Sequence, residues 1–142
     1  MRRISLGLLL LVLFGCGAAD PAPTATPPPA AANPLVGQWQ LSGLGGQPPL
    51  GPTSLTLVVE ERGGASGNGG CNQFSSTITL TDATLAFTPI MATKRACADP
   101  SLNNQESAYL AALDSARSFQ IDGASLRLLD AQGTAVAVFT RQ

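Results

Sequence analysis

The chain has 142 residues, 44% hydrophobic and only 12% charged, with a formal charge of −1. It contains no histidine, which removes Ser-His-Asp and Cys-His centres and the common zinc sites. The eight Lys/Arg form no basic run against nine Asp/Glu, so nucleic acid is not an expected partner.

Met1-Arg2-Arg3 is followed by an apolar run, Ile4 to Phe14, broken only by Ser5 and Gly7. As a helix it would span about 17 Å, short of a hydrocarbon core of roughly 30 Å. It reads as the apolar region of a signal peptide covering residues 1–15. Leu13-Phe14-Gly15-Cys16 resembles the lipobox of bacterial lipoproteins, although Phe14 is larger than usual at its place. The resemblance implies cleavage before Cys16 and acylation of that cysteine. The expected location is then the bacterial cell envelope, and the outer membrane if the source has two membranes, because Gly17 is not Asp. Two or three acyl chains, at about 0.8 kcal/mol per buried CH₂, would make the attachment effectively permanent.

From Gly17 to Pro34, six of eighteen residues are proline and seven alanine. Proline favours extended polyproline conformation, so residues 16–34 read as a lipidated cysteine and a tether that reaches about 55 Å at most. The folded part, residues 35–142, is long enough for a single domain.

Within it, Leu35 to Ser42 reads as a strand carrying Val36, Trp39 and Leu41. Gly43 to Pro52 reads as a loop. Ser54 to Glu61 alternates, with Leu55, Leu57 and Val59 on one face. Gly63 to Gly70 is GGASGNGG, with room for a short strand or an irregular crossing. Phe74 to Leu80 alternates again, and Thr84 to Ile90 offers Leu85 and Phe87. Asp99-Pro100 sets an N-cap and a first helical position. Behind it, Leu102, Glu106, Tyr109, Leu110, Leu113 and Arg117 recur at helical spacing as far as about Ala116. Ser118 to Asp122, Ala124 to Leu129 and Thr134 to Thr140 follow as strands, with tight turns at Asp122-Gly123 and Gln132-Gly133. The predicted class is α+β: a strongly bent antiparallel sheet, or partial barrel, wrapped around a single helix. Trp39, Leu55, Leu57, Phe74, Ile78, Leu85, Phe87, Phe119 and Leu128 are expected to cover the helix stripe.

Cys71 and Cys97 remain once Cys16 is acylated. In an exported domain an even pair points to a structural disulfide. A redox pair would more usually be Cys-x-x-Cys, and a metal site would need more ligands. The glycines before Cys71 lack the Gly-Lys-Ser/Thr ending of a phosphate loop. They suit close backbone approach instead. Asn72 is expected to cap an adjacent turn, with partner contact as the alternative. Lys94-Arg95, the basic pair before the helix, is a solvated loop pair or a holder of an anionic ligand or a partner's carboxylate. Glu106, on the apolar side of the helix, is expected to reach Arg95 or Thr93 and pin that loop.

Several of these residues together carry a resemblance: Trp39-x-Leu41, Gly70-Cys71-Asn72 with Phe74, Thr93 to Cys97, and then Glu106, Tyr109, Leu110, Leu113, Leu126 and Leu128. The chain from about Leu35 to Phe139 looks like the META domain, also called the HslJ-like domain. That resemblance implies a bent sheet around one helix in bacterial envelope lipoproteins and secreted proteins. Some members are associated with stress tolerance or motility. It brings no catalytic residues and no cofactor. The expected function is a non-enzymatic envelope lipoprotein that binds an unknown envelope protein or lipid and supports envelope integrity under stress. Two alternatives remain: a lipid or apolar-ligand binder, pilotin-like in fold, and, less favoured, an envelope hydrolase. A hydrolase would need a tuned acid, base or nucleophile, and the sparse carboxylates and hydroxyls here show no pairing pattern.

Overall fold

The computed structural model describes residues 32–51 and 54–142. The signal segment, Cys16 and most of the tether lie outside the described residues.

The first strand, β1 (Gly37–Leu44), buries Trp39 and Leu41. It starts and ends two residues later than the composition suggests. Val36 lies in a turn before it, and the strand runs on past Gly43 by bulging between Leu41 and Gly43 against the last strand. In β2 (Thr56–Val59), Leu57 and Val59 point inward as the alternation predicts, with Leu55 buried just before them. The glycine-rich run does contain a strand, β3 (Gly64–Asn68). Glycine is required in it: a Cβ on Gly67 would lie 1.9 Å from the Thr56 carbonyl oxygen.

Next come β4 (Gln73–Thr81), β5 (Thr84–Phe87) and the two-residue β6 (Met91–Ala92). The expected strand from Thr84 to Ile90 thus stops at Phe87. Thr88 and Pro89 interrupt it before pairing with β4 resumes at Met91. Proline has no N–H to give a ladder. After the helix α1 (Pro100–Ser115) come β7 (Ser118–Asp122), β8 (Ser125–Leu129) and β9 (Ala135–Arg141).

All the pairings are antiparallel, in the order β3-β2-β1-β9-β8-β7-β5-β4-β6, and β3 also pairs with β4. The sheet therefore bends into a ring with β6 appended beside β4. The ring is uneven. Between β5 and β7 the ladder is a single residue pair, Thr84 opposite Ser118. The α+β class and the strongly bent sheet around one helix are what the described residues adopt.

The helix packs against β9, β1 and β5. Its start is as expected. The Asp99 side chain accepts the Ser101 N–H at 2.8 Å, and Pro100 occupies the first helical position. That backbone hydrogen bond, followed by one from the Ser101 hydroxyl, holds the Asp99 carboxyl below its ordinary pKa. A lowered native pKa means the cap contributes fully above the usual carboxylate range and loses its contribution as pH falls through the native value, below about pH 4. The stability difference between wild type and Asp99→Ala should narrow there in denaturant melts taken from pH 6 to pH 2.

The buried face of the helix departs from the expected stripe. Gln105, Glu106, Tyr109, Ala112 and Leu113 face inward, whereas Leu102 and Leu110 are only partly covered. Phe119 is likewise half-buried, packed against the core rather than inside it. The first turns of the helix bury polar groups because they fasten loops. Its second half carries the apolar packing. Tyr109 lies edge-on to Phe74 at 5.8 Å between ring centroids and tilted to Phe139 at 6.1 Å. Its hydroxyl donates to the Thr56 carbonyl at 3.1 Å, and burial pushes its pKa well above the ordinary tyrosine value.

Candidate functional site

The polar residues singled out in the sequence converge at one place, where the N-terminal half of α1 meets the Gly69–Asn72 turn and the segment after β6. Glu106 supplies the acceptors. One carboxylate oxygen accepts the backbone N–H groups of Cys71 at 2.9 Å and Asn72 at 2.7 Å. The other accepts from the Asn72 side-chain amide. Gly69 makes room for this, since a Cβ there would come within 3.0 Å of the Glu106 side chain.

Asn72 carries the connection onward. Its Oδ1 accepts the Thr93 hydroxyl at 2.8 Å and the Arg95 N–H at 2.7 Å, and its Nδ2 also donates to the Arg95 carbonyl at 3.0 Å. Glu106 therefore pins the 93–95 loop through Asn72 and not by touching Thr93 or Arg95 itself. One residue earlier in the same turn, Cys71 is joined to Cys97 in a disulfide with Cα atoms 5.6 Å apart. The Cys97 N–H donates to Asn103 Oδ1 at 3.0 Å. The helix thus holds both sides of the bridge.

This cluster is saturated. Among the described residues no buried side-chain nitrogen or oxygen lacks a hydrogen-bond partner. Asn72 is buried, and both ends of its amide are engaged inside the molecule, so its capacity is spent on fastening rather than on an external contact. Lys94 and Arg95 have exposed side chains on the loop that Asn72 fixes. Among the described residues no group of three His, Cys, Asp or Glu is arranged to hold a metal ion.

Reduction tests the bridge. The 26-residue separation corresponds to about 3.5 kcal/mol in the chain-entropy model, and such bonds typically contribute 2–4. Reduced protein should melt at least several degrees lower, at roughly 4–8 °C per kcal/mol for a domain of 60–100 residues and somewhat less here. An unchanged melt after confirmed reduction would remove the bridge from the stability account.

The other feature was not visible in the sequence. On the outer side of α1 lies an open groove of about 660 Å³. Ala108, Ala111 and Ala112 form its helical wall, with Leu44 and Val136 opposite and the Gly45–Gly46 turn at its end. A second depression of about 420 Å³ continues it past Leu44 and Ala108 toward Pro48 and Leu50. Among the described residues lining the two depressions none is charged. The turn has no side chains to fill the space, because Leu44 and Gln47 exchange both backbone hydrogen bonds around two glycines with positive φ. The groove combines glycine and alanine from three separated segments, none of which carries a periodic signal.

The family model for the META domain matches residues 33–142. The chain belongs to the META domain family. Solved structures share its fold. A protein from Burkholderia xenovorans, known by NMR, is 25% identical, with a TM-score of 0.60 over 87% of this chain and 99% of that one. Another NMR structure is 20% identical, with a TM-score of 0.61 over 75% and 90% of the two chains. The crystal structure of a DUF4847 family protein from Bacteroides vulgatus is 16% identical, with a TM-score of 0.51 over 76% and 94%. No curated protein matches the sequence. In this META domain, then, Trp39, Leu41, Phe74, Leu126 and Leu128 are core residues. The Gly-Cys-Asn element and the Thr93–Cys97 element are the two sides of one fastening.

Proposed function

We propose that this META domain is a binding module of a bacterial envelope lipoprotein, anchored through acylated Cys16, and that it acts by contact rather than by catalysis. The observation that carries the reading is the division of labour in the domain. The buried polar groups are consumed in holding loops, and an open groove of ligand size beside the helix is lined by uncharged, mostly apolar residues. Such grooves suit apolar side chains of a partner. Exposed Lys94 and Arg95 provide a separate cationic rim for an acidic partner group. The role in envelope integrity under stress that we attach to this module comes from the family resemblance.

Two measurements test it. Mass spectrometry of the native protein should find the mature chain starting at acylated Cys16, and Cys16→Ala should abolish processing or release the protein from membranes. An intact Met1 or an unmodified Cys16 would overturn the anchor. Proximity labelling in intact cells should then recover the same envelope proteins from wild type and lose them with Ala111→Lys, which places a charge in the groove. An identical labelling pattern would overturn the groove as the contact surface. A lipid or apolar-ligand binder, the second reading, is favoured by the same groove. Retention of a fluorescent fatty acid that Ala111→Lys abolishes would select it.

A further inference from the structure

The segment between β6 and α1 is extended, exposed and held from one side only. Residues 93–97 make no turn or bend, and Thr93, Lys94, Arg95 and Ala96 are all exposed. The Thr93 N–H donates to the Gln73 carbonyl at 3.0 Å, and its hydroxyl donates to Asn72 Oδ1 at 2.8 Å. Arg95 turns both backbone groups to the same amide. Its N–H donates to Asn72 Oδ1 at 2.7 Å, and its carbonyl accepts from Nδ2 at 3.0 Å. Two residues later Cys97 is bonded to Cys71. Backbone groups of successive residues in an extended chain face opposite sides, so those of Lys94 and Ala96 face away from Asn72. Among the described residues no hydrogen bond uses them. Lys94 is also the single lysine of the chain.

We infer that this segment is a protease-binding loop, which enters the cleft of a serine endopeptidase of basic specificity, seats Lys94 in its primary pocket and withstands cleavage. The inference rests on the reading of the domain as a binding module with Lys94 and Arg95 as a basic contact point, and it is independent of the groove. Such an enzyme pairs with the backbone of an extended chain and selects a cation by an acidic pocket floor. Lys94 supplies both the exposed cation and the unused backbone groups. One small anion is a poorer match, because consecutive side chains of an extended chain diverge. The loop is ordered beforehand, which lowers the cost of association. Asn72 separates it from a substrate. In acylation the protease serine attacks the Lys94 carbonyl carbon, and the C–N bond to Arg95 breaks. The serine proton passes through the enzyme's base to the Arg95 amine. In a substrate that amine departs and water replaces it. Here Asn72 holds Arg95 by both backbone groups, the bridge at Cys97 ties the chain behind it, and the same Oδ1 keeps Thr93 alongside. Well-oriented groups reach effective concentrations of about 10⁵–10⁸ M, far above that of water. The held amine therefore attacks the ester first, the C–N bond re-forms, and the serine recovers its proton. Glu106 underlies the arrangement by fixing the Asn72 amide.

The test uses the full chain, detergent-solubilised and oxidised. It is mixed with trypsin and, separately, with a lysine-specific serine endopeptidase, for which the bond after Lys94 is the single site. Hydrolysis of a small chromogenic substrate should stop near one chain per active site. Lys94→Ala should weaken this inhibition by about a hundredfold or more, and Lys94→Leu should transfer it to chymotrypsin. Both variants change an exposed side chain, and unchanged melting curves would establish that they fold. Mass spectrometry should find a fraction cut after Lys94, heavier by one water, with its two pieces still joined by the Cys71–Cys97 bridge. Returning that cut form to the enzyme should regenerate intact chain. Absence of inhibition, complete cleavage of the oxidised chain without regeneration, or inhibition that Lys94→Ala leaves intact overturns the inference. If the proteases ignore the chain while Ala111→Lys still abolishes partner labelling in cells, the loop falls and the groove remains the contact surface. If the loop inhibits while Ala111→Lys alters nothing, the groove falls and the loop stands.

Discussion

Replacing Glu106 by alanine is expected to cost about 3–5 kcal/mol, a large share of the 5–15 kcal/mol available to a typical domain. The change removes one carboxylate and strands three donors: the N–H groups of Cys71 and Asn72 and the Asn72 amide. Each buried donor left without an acceptor costs about 1–3 kcal/mol, with the lower end for groups that water can reach. Cys71 is half-buried and belongs at that lower end, whereas Asn72 is buried and does not. Glu106→Gln is expected to be milder, at about 1–3 kcal/mol. It keeps an acceptor for the backbone groups but turns an amide NH₂ toward the Asn72 amide NH₂. Rotating the Asn72 amide only moves the clash, because its other end would then present a donor to the Arg95 N–H. Denaturant melts of Glu106→Ala, Asn72→Ala and the double variant check the arrangement. Coupling of about 1–3 kcal/mol is expected, and strictly additive losses would show that the two residues act separately.

Truncating Leu113 to alanine is expected to cost about 2–5 kcal/mol, in the upper half of that range. Leu113 is fully buried in the same cluster as Trp39, Tyr109 and Phe139. The cost of a cavity depends on how far its walls can collapse. The walls here belong to a hydrogen-bonded ring on several sides of the helix, which limits relaxation. Leu110→Ala on the neighbouring half-buried position should cost clearly less. Equal losses at the two positions in urea melts would mean that the helix does not present this face to the ring.

Alternation made β2 and β4 legible, because Leu57, Val59, Phe74 and Ile78 are buried on one face while the opposite face is mostly hydroxyl-bearing, with outward Val58 and inward Ser76 as the exceptions. The Asp99-Pro100 pair fixed the start of the helix for the same local reason: the capping chemistry lies within three residues. The strand Gly64–Asn68 was not legible as such, since GASGN has neither alternation nor β-branched residues. It is selected by its neighbours, which leave no space for a side chain at Gly67. Glu106 stood out as a charged residue on an apolar face, and its pinning of the loop was anticipated. The intermediary was not, because Asn72 is 34 residues away and nothing local ties it to the helix. Leu102 and Leu110 looked like core by spacing alone. Leu102 lies in the first turn and Leu110 at the edge of the buried arc, which extends instead toward Gln105 and Ala112; the hydrogen bonds that hold Gln105 and Glu106 inward reach distant loops and leave no mark in the periodicity. The groove lay beyond sequence reasoning because small residues mark a surface only by what they fail to fill.

The single residue pair between β5 and β7 gives the ring a seam. Elsewhere successive ladder bonds protect one another, so an amide exchanges with solvent only when a whole strand lifts. At the seam, the Leu85 N–H rests on the Arg117 carbonyl at 2.9 Å with no further rung beyond Thr84 and Ser118. Small fluctuations suffice to part it. The closed sheet therefore behaves as a clasp with one weak catch, and Leu85 should exchange well ahead of the amides of β1, β8 and β9. Sub-global opening would begin there, swinging β4 and β5 away from β7 while the Cys71–Cys97 bridge keeps the turn before β4 tied to the segment that leads into the helix.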